Sequence, residues 1–152
     1  YISILRGNEV VYLDAVETSS TVRVVSRVGL HMPLHATAAG KALVSYDSDD
    51  ELRKLFSGEL QRFTKATRTD VDDFIKEVAL VRERGYAVDL EEFEEGLRCI
   101  GAPVRDYTRK VVGAISVSGP AHRLSDERIA TVMGPELDRA GKALSARLGF
   151  RE

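Results

Sequence analysis

The chain lacks most of what marks the specialised classes of protein. Its 152 residues include a single cysteine, Cys99, so no disulfide can close within it, which excludes the stapled scaffolds of small secreted domains. Nothing at the N-terminus has the charged-then-apolar order of a secretory signal, and a reducing cytoplasm is the expected compartment. Hydrophobic runs are short: Val111-Val112-Gly113-Ala114-Ile115 is representative and falls far below the roughly 20 apolar residues of a bilayer-spanning helix. No membrane partner is expected. An excess of one charge is missing too, since 22 basic against 24 acidic residues give a formal charge of -2. A module that neutralises many phosphates shows a basic balance or face, so this chain alone is not expected to bind nucleic acid. With no P-loop and no Gly-x-Gly-x-x-Gly, a nucleotide fold has no support.

What is present is an ordinary globular composition, 43% apolar and 30% charged, with 12 Gly and 4 Pro. At this length one core buries about 68–70% of the surface that the unfolded chain exposes, so one domain over residues 1–152 is expected, needing neither metal nor disulfide. Tyr1 already lies inside a strand-like pattern, and the chain is therefore expected to begin partway along a longer protein.

Strand patterns run through Ile2-Ser3-Ile4-Leu5, a Gly7-Asn8 turn, Val10 to Val16, and Val22-Arg23-Val24-Val25, an antiparallel meander ending by Arg27. Gly29 to His35 reads as irregular around Pro33. Thr37 and the small residues Ala38, Ala39 and Gly40 open a helix to about Tyr46, and Ser48 caps another from Asp49 to Phe56. A stronger helix follows Thr69, a candidate N-cap, with Val71, Phe74, Ile75, Val78 and Val81 at i, i+3, i+4 spacing and Gly85 as its stop. Strands return at Tyr86 to Asp89, Cys99 to Arg105 and Val111 to Ser118, the last two joined by a polar turn at Asp106 to Arg109. Ser125 opens a terminal helix that Pro135 should kink or interrupt. The order predicts an α+β domain, a mostly antiparallel sheet flanked by helices.

Period-two alternation puts Ala114, Ser116 and Ser118 on one face of the last strand, and Cys99, Gly101 and Pro103 on one face of its neighbour. If the register joins those faces, a small polar floor forms; the other reading is a solvated outer face. Asp89, at a strand end before Glu91-Glu92-Phe93-Glu94-Glu95-Gly96, is either a turn-former or a ligand contact, and the glutamates are either solvated or paired with Arg98. His35-Ala36-Thr37-Ala38-Ala39-Gly40-Lys41 lets an anion approach free N–H groups at a helix start, or lets the helix pack closely on the sheet. Cys99 with His35 would form a nucleophile and base, and His31 with His35 could ligate a metal, although Pro33 stands between them.

Pro33 to Leu43, Arg84 to Asp89, Glu91 to Ile100 running into Ala102-Pro103-Val104, and Ile115-Ser116-Val117-Ser118-Gly119-Pro120 together resemble, in order and spacing, the C-terminal effector-binding domain of the IclR family of bacterial transcription regulators. The resemblance implies a GAF-like fold whose curved antiparallel sheet and helices enclose a pocket for a small organic or aromatic acid. It implies ligand contacts at the N–H groups of Ala38 and Ala39, at Asp89, Cys99, Ser116 and Ser118, and apolar walls near Thr21 and Met32. Cys99 is then a pocket wall and not a nucleophile. It further implies an upstream winged helix-turn-helix domain through which operator DNA is bound, assembly as a homodimer or tetramer, no enzymatic activity and no cofactor. Many relatives read Asp where this chain has Leu90, and Ala where it has Gly101, a change expected to enlarge the pocket slightly. The competing readings are a small-molecule enzyme or metal-binding domain using Cys99 and His35, and a purely structural oligomerisation domain.

Overall fold

A computed structural model describes residues 1–152. Six strands form one sheet: β1 (Ile2–Arg6), β2 (Glu9–Asp14), β3 (His31–Pro33), β4 (Ala87–Leu90), β5 (Leu97–Arg105) and β6 (Val111–Pro120). The spatial order is β3-β2-β1-β6-β5-β4, and every neighbouring pair is antiparallel, so the expected mostly antiparallel sheet is wholly so. Short turns join β1 to β2, β4 to β5 and β5 to β6, the longer segment 15–30 joins β2 to β3, and β1 joins the two halves by pairing with β6. The helical middle of the chain then carries it from one sheet edge, β3, to the other, β4.

The expected third strand of the N-terminal meander is misplaced. Val22 to Val25 has the β-branched pattern but forms no strand, whereas His31–Pro33, expected to be irregular, pairs with β2 through Val10 opposite Met32. A strand needs an edge to pair with, and the free edge of β2 is taken by β3. At the β5–β6 tip, Arg109 N–H donates to the Asp106 carbonyl at 2.9 Å and Arg109 adopts φ 68°, a turn followed by one left-handed residue.

The helices follow their sequence signals closely. In α1 (Ala38–Leu43), Thr37 Oγ1 accepts from Gly40 N–H at 3.1 Å. In α2 (Asp49–Lys54), Ser48 and Glu51 form the reciprocal capping pair. The cap of α3 (Val71–Arg84) is Asp70 and not Thr69, because the Asp70 carboxylate reaches the N–H groups of Asp72 and Asp73 at 2.7 and 3.3 Å. Gly85, at φ 87°, ends α3 in the left-handed conformation that only glycine adopts cheaply. After α4 (Asp126–Arg128), residues Ile129–Met133 make a π-helical turn leading into α5 (Gly134–Arg147). Pro135 is the physical cause: it lacks an N–H, and its ring would strike the Thr131 carbonyl in a regular helix.

The sheet is covered on both sides. Phe74, Val78 and Val81 of α3 join Ala38, Ala42 and Val10 in the larger core cluster, while Ile100, Leu124 and Ile129 form a smaller one on the α5 side. Phe74 is fully buried, contributing about 1.5–3 kcal/mol from area alone.

Candidate ligand-binding site

The register of the three strands at one sheet edge decides between the floor and the solvated face. Asp89 stands opposite Cys99, Cys99 opposite Ser118, and one step along Gly101 stands opposite Ser116. Directly opposed residues share a face, so Asp89, Cys99 and Ser118 form a row across β4, β5 and β6, pointing into the interior. Cys99 Sγ and Ser118 Oγ are 3.0 Å apart. The row borders a small cavity of about 10 Å³, with Met32, Tyr12 and Tyr1 from the other half of the sheet, Thr37 before α1, and Arg27, Phe93 and Leu97 around it. That volume is about one water molecule.

Burial sets the electrostatics of the row. Asp89 is 1% exposed, its Oδ1 accepts the Glu92 N–H at 2.8 Å, and desolvation pushes its pKa up to about 7 against that hydrogen bond, with the charge of Glu92 adding to the rise. Near neutral pH it is a carboxyl group as much as a carboxylate, able to donate as well as accept. Burial, and then the charge of Asp89, push the Cys99 thiol up to about 12, so it is not a thiolate and not an activated nucleophile. The Tyr12 hydroxyl is raised as well, mainly by burial. Arg27 is the cation at the cavity. Its Nη2 pairs with Glu94 at 2.7 Å, and its guanidinium lies 4.9 Å from the Phe93 ring centroid.

The start of α1 lies against this row, and Gly101 explains how closely. A Cβ built on Gly101 would sit 2.8 Å from the Ala38 carbonyl oxygen and 3.2 Å from the Ala39 nitrogen. Gly101 therefore does not enlarge the cavity as expected; the space is filled by the backbone of α1. Thr37 satisfies the N–H groups of Gly40 and Lys41 through its side chain and carbonyl. Ala38 and Ala39 open α1, so their N–H groups have no partner within the helix, and the buried Ser116 Oγ has no partner in the protein. Of the residues expected at the site, Met32, Asp89, Cys99 and Ser118 line the cavity. Ala38, Ala39 and Ser116 are buried around Gly101 without bordering it, and Thr21 is exposed on the segment between β2 and β3.

A second buried polar group was not visible in the sequence. Lys41 is fully buried, and its Nζ donates to Glu92 and to the Val88 carbonyl, with Glu77 at 3.9 Å. Arg68 closes the group at 3.4 Å from Glu77 and 3.3 Å from Glu92, and Arg84 reaches Glu77 at 3.1 Å. The expectation that the glutamates of residues 91–95 are solvated or paired with Arg98 holds for Glu91, 3.7 Å from Arg98. It fails for Glu92, which is 4% exposed because Lys41 draws it inward.

The nucleophile and base do not meet. His35 Nε2 lies 2.8 Å from the Gln61 carbonyl, between the rings of Phe56 and Phe63, and burial lowers its pKa, so the neutral ring donates to that carbonyl. His31 pairs at the surface with Glu9 at 2.6 Å, and no three His, Cys, Asp or Glu side chains come together as metal ligands.

A fully antiparallel six-stranded sheet, helices on both sides, and a polar row enclosed beneath a short helix define the GAF-like class of α+β sensor folds. Residues 1–146 match the model of the family described as bacterial transcriptional regulator IclR C-terminal, and the chain belongs to that family. It is 37% identical over 151 residues to the HTH-type transcriptional regulator XynR of Escherichia coli, covering 99% of this chain and 60% of XynR. Among solved structures it is similar to the Agobacterium tumefaciens repressor BlcR, with a TM-score of 0.89, 37% identity, and coverage of 99% of this chain and 60% of BlcR. It is also similar to a double mutant of the PobR inducer-binding domain from Acinetobacter in complex with 3-hydroxybenzoic acid, with a TM-score of 0.83, 25% identity, and coverage of 95% and 85%. The chain thus spans about 60% of the length of XynR and of BlcR. No helix is long and apolar enough to cross a membrane.

Proposed function

We propose that this chain is the effector-sensing domain of a cytoplasmic transcription regulator, and that it binds a small organic acid at the Asp89–Cys99–Ser118 row. The observation that carries this reading is the concentration of unmet hydrogen-bonding capacity at one buried spot. Ser116 Oγ is orphaned, and the first two N–H groups of α1, at Ala38 and Ala39, have no partner within their helix, around a glycine that admits no side chain and next to a row with a titratable carboxyl group. Buried polar groups without partners each cost about 1–3 kcal/mol, a cost that a carboxylate accepting from all three removes. Asp89 and Ser118 then bond a hydroxyl or keto oxygen of the acid, Cys99 and Met32 act as walls, and Arg27 supplies a cation. PobR, whose similar domain was solved with a hydroxylated aromatic acid, supports the ligand class.

The domain acts by binding and not by catalysis: the thiol, flanked by Ser118 and Asp89, is pushed up by burial and by the charge of Asp89 and stays protonated. An upstream winged helix-turn-helix reads operator DNA, and self-association into a dimer or tetramer conveys the signal. Val16 and Val25, 98% and 81% exposed, suit burial between copies. Effector binding shifts the equilibrium between arrangements of those copies by its differential affinity for them.

A thermal-shift screen of the chain against keto, hydroxy, dicarboxylic and aromatic acids tests the site, with Ser118→Ala alongside. An effector at 100 times its Kd stabilises by about 2.7 kcal/mol, or roughly 5–10 °C for a domain of this size, and Ser118→Ala abolishes the shift. No shift from any acid, or the same shift in the variant, overturns the reading.

A further inference from the structure

The largest cavity of the molecule is not the one beneath α1. A groove of about 500 Å³ opens between the C-terminal ends of α3 and α5 and the β5–β6 hairpin. None of the residues assigned above to acid binding lines it. Its volume falls within the roughly 300–1,000 Å³ of small-molecule sites, and five of its fourteen lining residues are basic against three acidic.

Two of those cations are held in place with part of their donor set free. Arg105 lies between two aromatic rings, its guanidinium carbon 4.0 Å from the Tyr46 centroid and 4.4 Å from the Phe150 centroid. Its Nε and Nη2 donate to the Arg109 carbonyl at 2.9 and 2.7 Å, which leaves Nη1 without a partner. Arg82 uses Nη1 for the carbonyls of Ser45 and Asp47, at 3.0 and 3.2 Å, and keeps its Nε–Nη2 edge free. That edge is the fork that takes a carboxylate or phosphate by two parallel hydrogen bonds.

The carboxylates nearby do not neutralise these groups. Asp138 is paired with Lys142 at 2.8 Å, and Arg84 is turned toward Glu77 at 3.1 Å. Arg82, Arg105 and Arg109 take part in none of the ion pairs of the protein. Glu83 and Glu152, both exposed, are the remaining acidic side chains of the groove. In a chain of net charge -2, three unpaired arginines beside two aromatic rings are a local reversal of sign. The side-chain entropy of Arg105 is already lost to its stacking, so an anion bound there immobilises little more.

We propose that this groove is a second ligand site, for a small organic or inorganic polyanion carrying carboxylate or phosphate groups. The free edge of Arg82 takes one anionic group in bidentate fashion, Nη1 of Arg105 takes a single hydrogen bond, and Arg109 at the hairpin tip adds charge. Tyr46 and Phe150 form the apolar walls. The site stands independently of the acid site beneath α1.

Isothermal titration of the 152-residue chain with citrate and with inorganic pyrophosphate, at constant ionic strength and with acetate as the monoanion control, tests this. Saturable one-site binding of either polyanion and not of acetate is expected, and the tighter of the two names the class as carboxylate or phosphate. Arg82→Gln together with Arg105→Gln weakens that binding by at least about tenfold. Arg109→Gln, whose side chain makes no hydrogen bond that folding needs, weakens it by about threefold and keeps the test open should the double variant fold poorly. Ser118→Ala leaves it unchanged. Absence of saturation with both polyanions overturns the proposal, as does an unaltered Kd in Arg109→Gln or loss of binding in Ser118→Ala, which would move the ligand to the acid site.

Discussion

Two buried polar groups lie within one turn of chain of each other, at Asp89 and at Glu92, and they are built on opposite principles. Around Lys41, every charge has a counter-charge: Glu92 and Glu77 flank the ammonium, and Arg68 and Arg84 satisfy the outer carboxylate oxygens. Around Asp89, groups are brought together and left incomplete, with Ser116 Oγ unmet beside the start of α1, whose first N–H groups have no partner within the helix. The first ties α1, α3 and the loop after β4 into one body. The second stores unfavourable free energy that a ligand can release. Burial alone does not distinguish the two groups: around Lys41 the one nitrogen without a well-formed hydrogen bond, Arg68 Nε, still faces a Glu92 oxygen at 3.3 Å, whereas Ser116 Oγ has no partner of either kind.

The comparison breaks most visibly at its paired member. Lys41→Met takes the central cation from two buried glutamates, which keep only their outer arginines, and the donor from the Val88 carbonyl, and is expected to cost about 3–5 kcal/mol, a fall of roughly 6–20 °C in Tm; a loss below about 1 kcal/mol in thermal unfolding would mean that the group is not paired as described.

At the incomplete member the effect depends on pH. Asp89 holds its proton more tightly folded, at about 7, than unfolded, near 3.8, so the parent loses stability as pH rises through that window and does not regain it above. Asp89→Asn removes the penalty while its amide oxygen still accepts from Glu92. Denaturant midpoints of the two proteins therefore converge below about pH 4 and separate in favour of the variant above about pH 7, and parallel curves would refute a buried, titrating Asp89. The smallest effect comes from Ser116→Ala, which deletes an unpartnered hydroxyl: stability stays within about 1 kcal/mol of the parent and shifts upward if at all, while acid affinity drops. A clear destabilisation in urea unfolding would reveal a partner for that hydroxyl.

Much of this was legible in the residues. The alternation of β6, the glycine that stops α3 and the disruption before Pro135 follow from local rules that tertiary context did not override. Register was not legible, because period-two patterns fix the face of each strand but not which residues oppose; that Cys99 meets Ser118 is a fact about the β5–β6 turn and its bulge. Val22 to Val25 misled for a related reason, since strand propensity says nothing about whether an edge is vacant. Lys41 ends a run of small residues and gives no sign of burial, because its partners Glu77 and Glu92 lie far along the chain. Tyr1, Tyr12, Arg27 and Phe93 escaped as cavity residues because curvature of the sheet, not sequence proximity, brings its two halves together.

The small size of the cavity also has a consequence in time. About 10 Å³ holds no organic acid, so an acid must meet a rarer, opened form of the domain, and its apparent affinity is reduced by the fraction of molecules that are open. Association is then gated: as ligand is raised, the observed rate reaches a plateau set by opening and not by diffusion. Substitutions of Glu94, which does not line the cavity and holds Arg27 at 2.7 Å, are expected to raise that plateau, so the speed of response is tunable from outside the cavity lining.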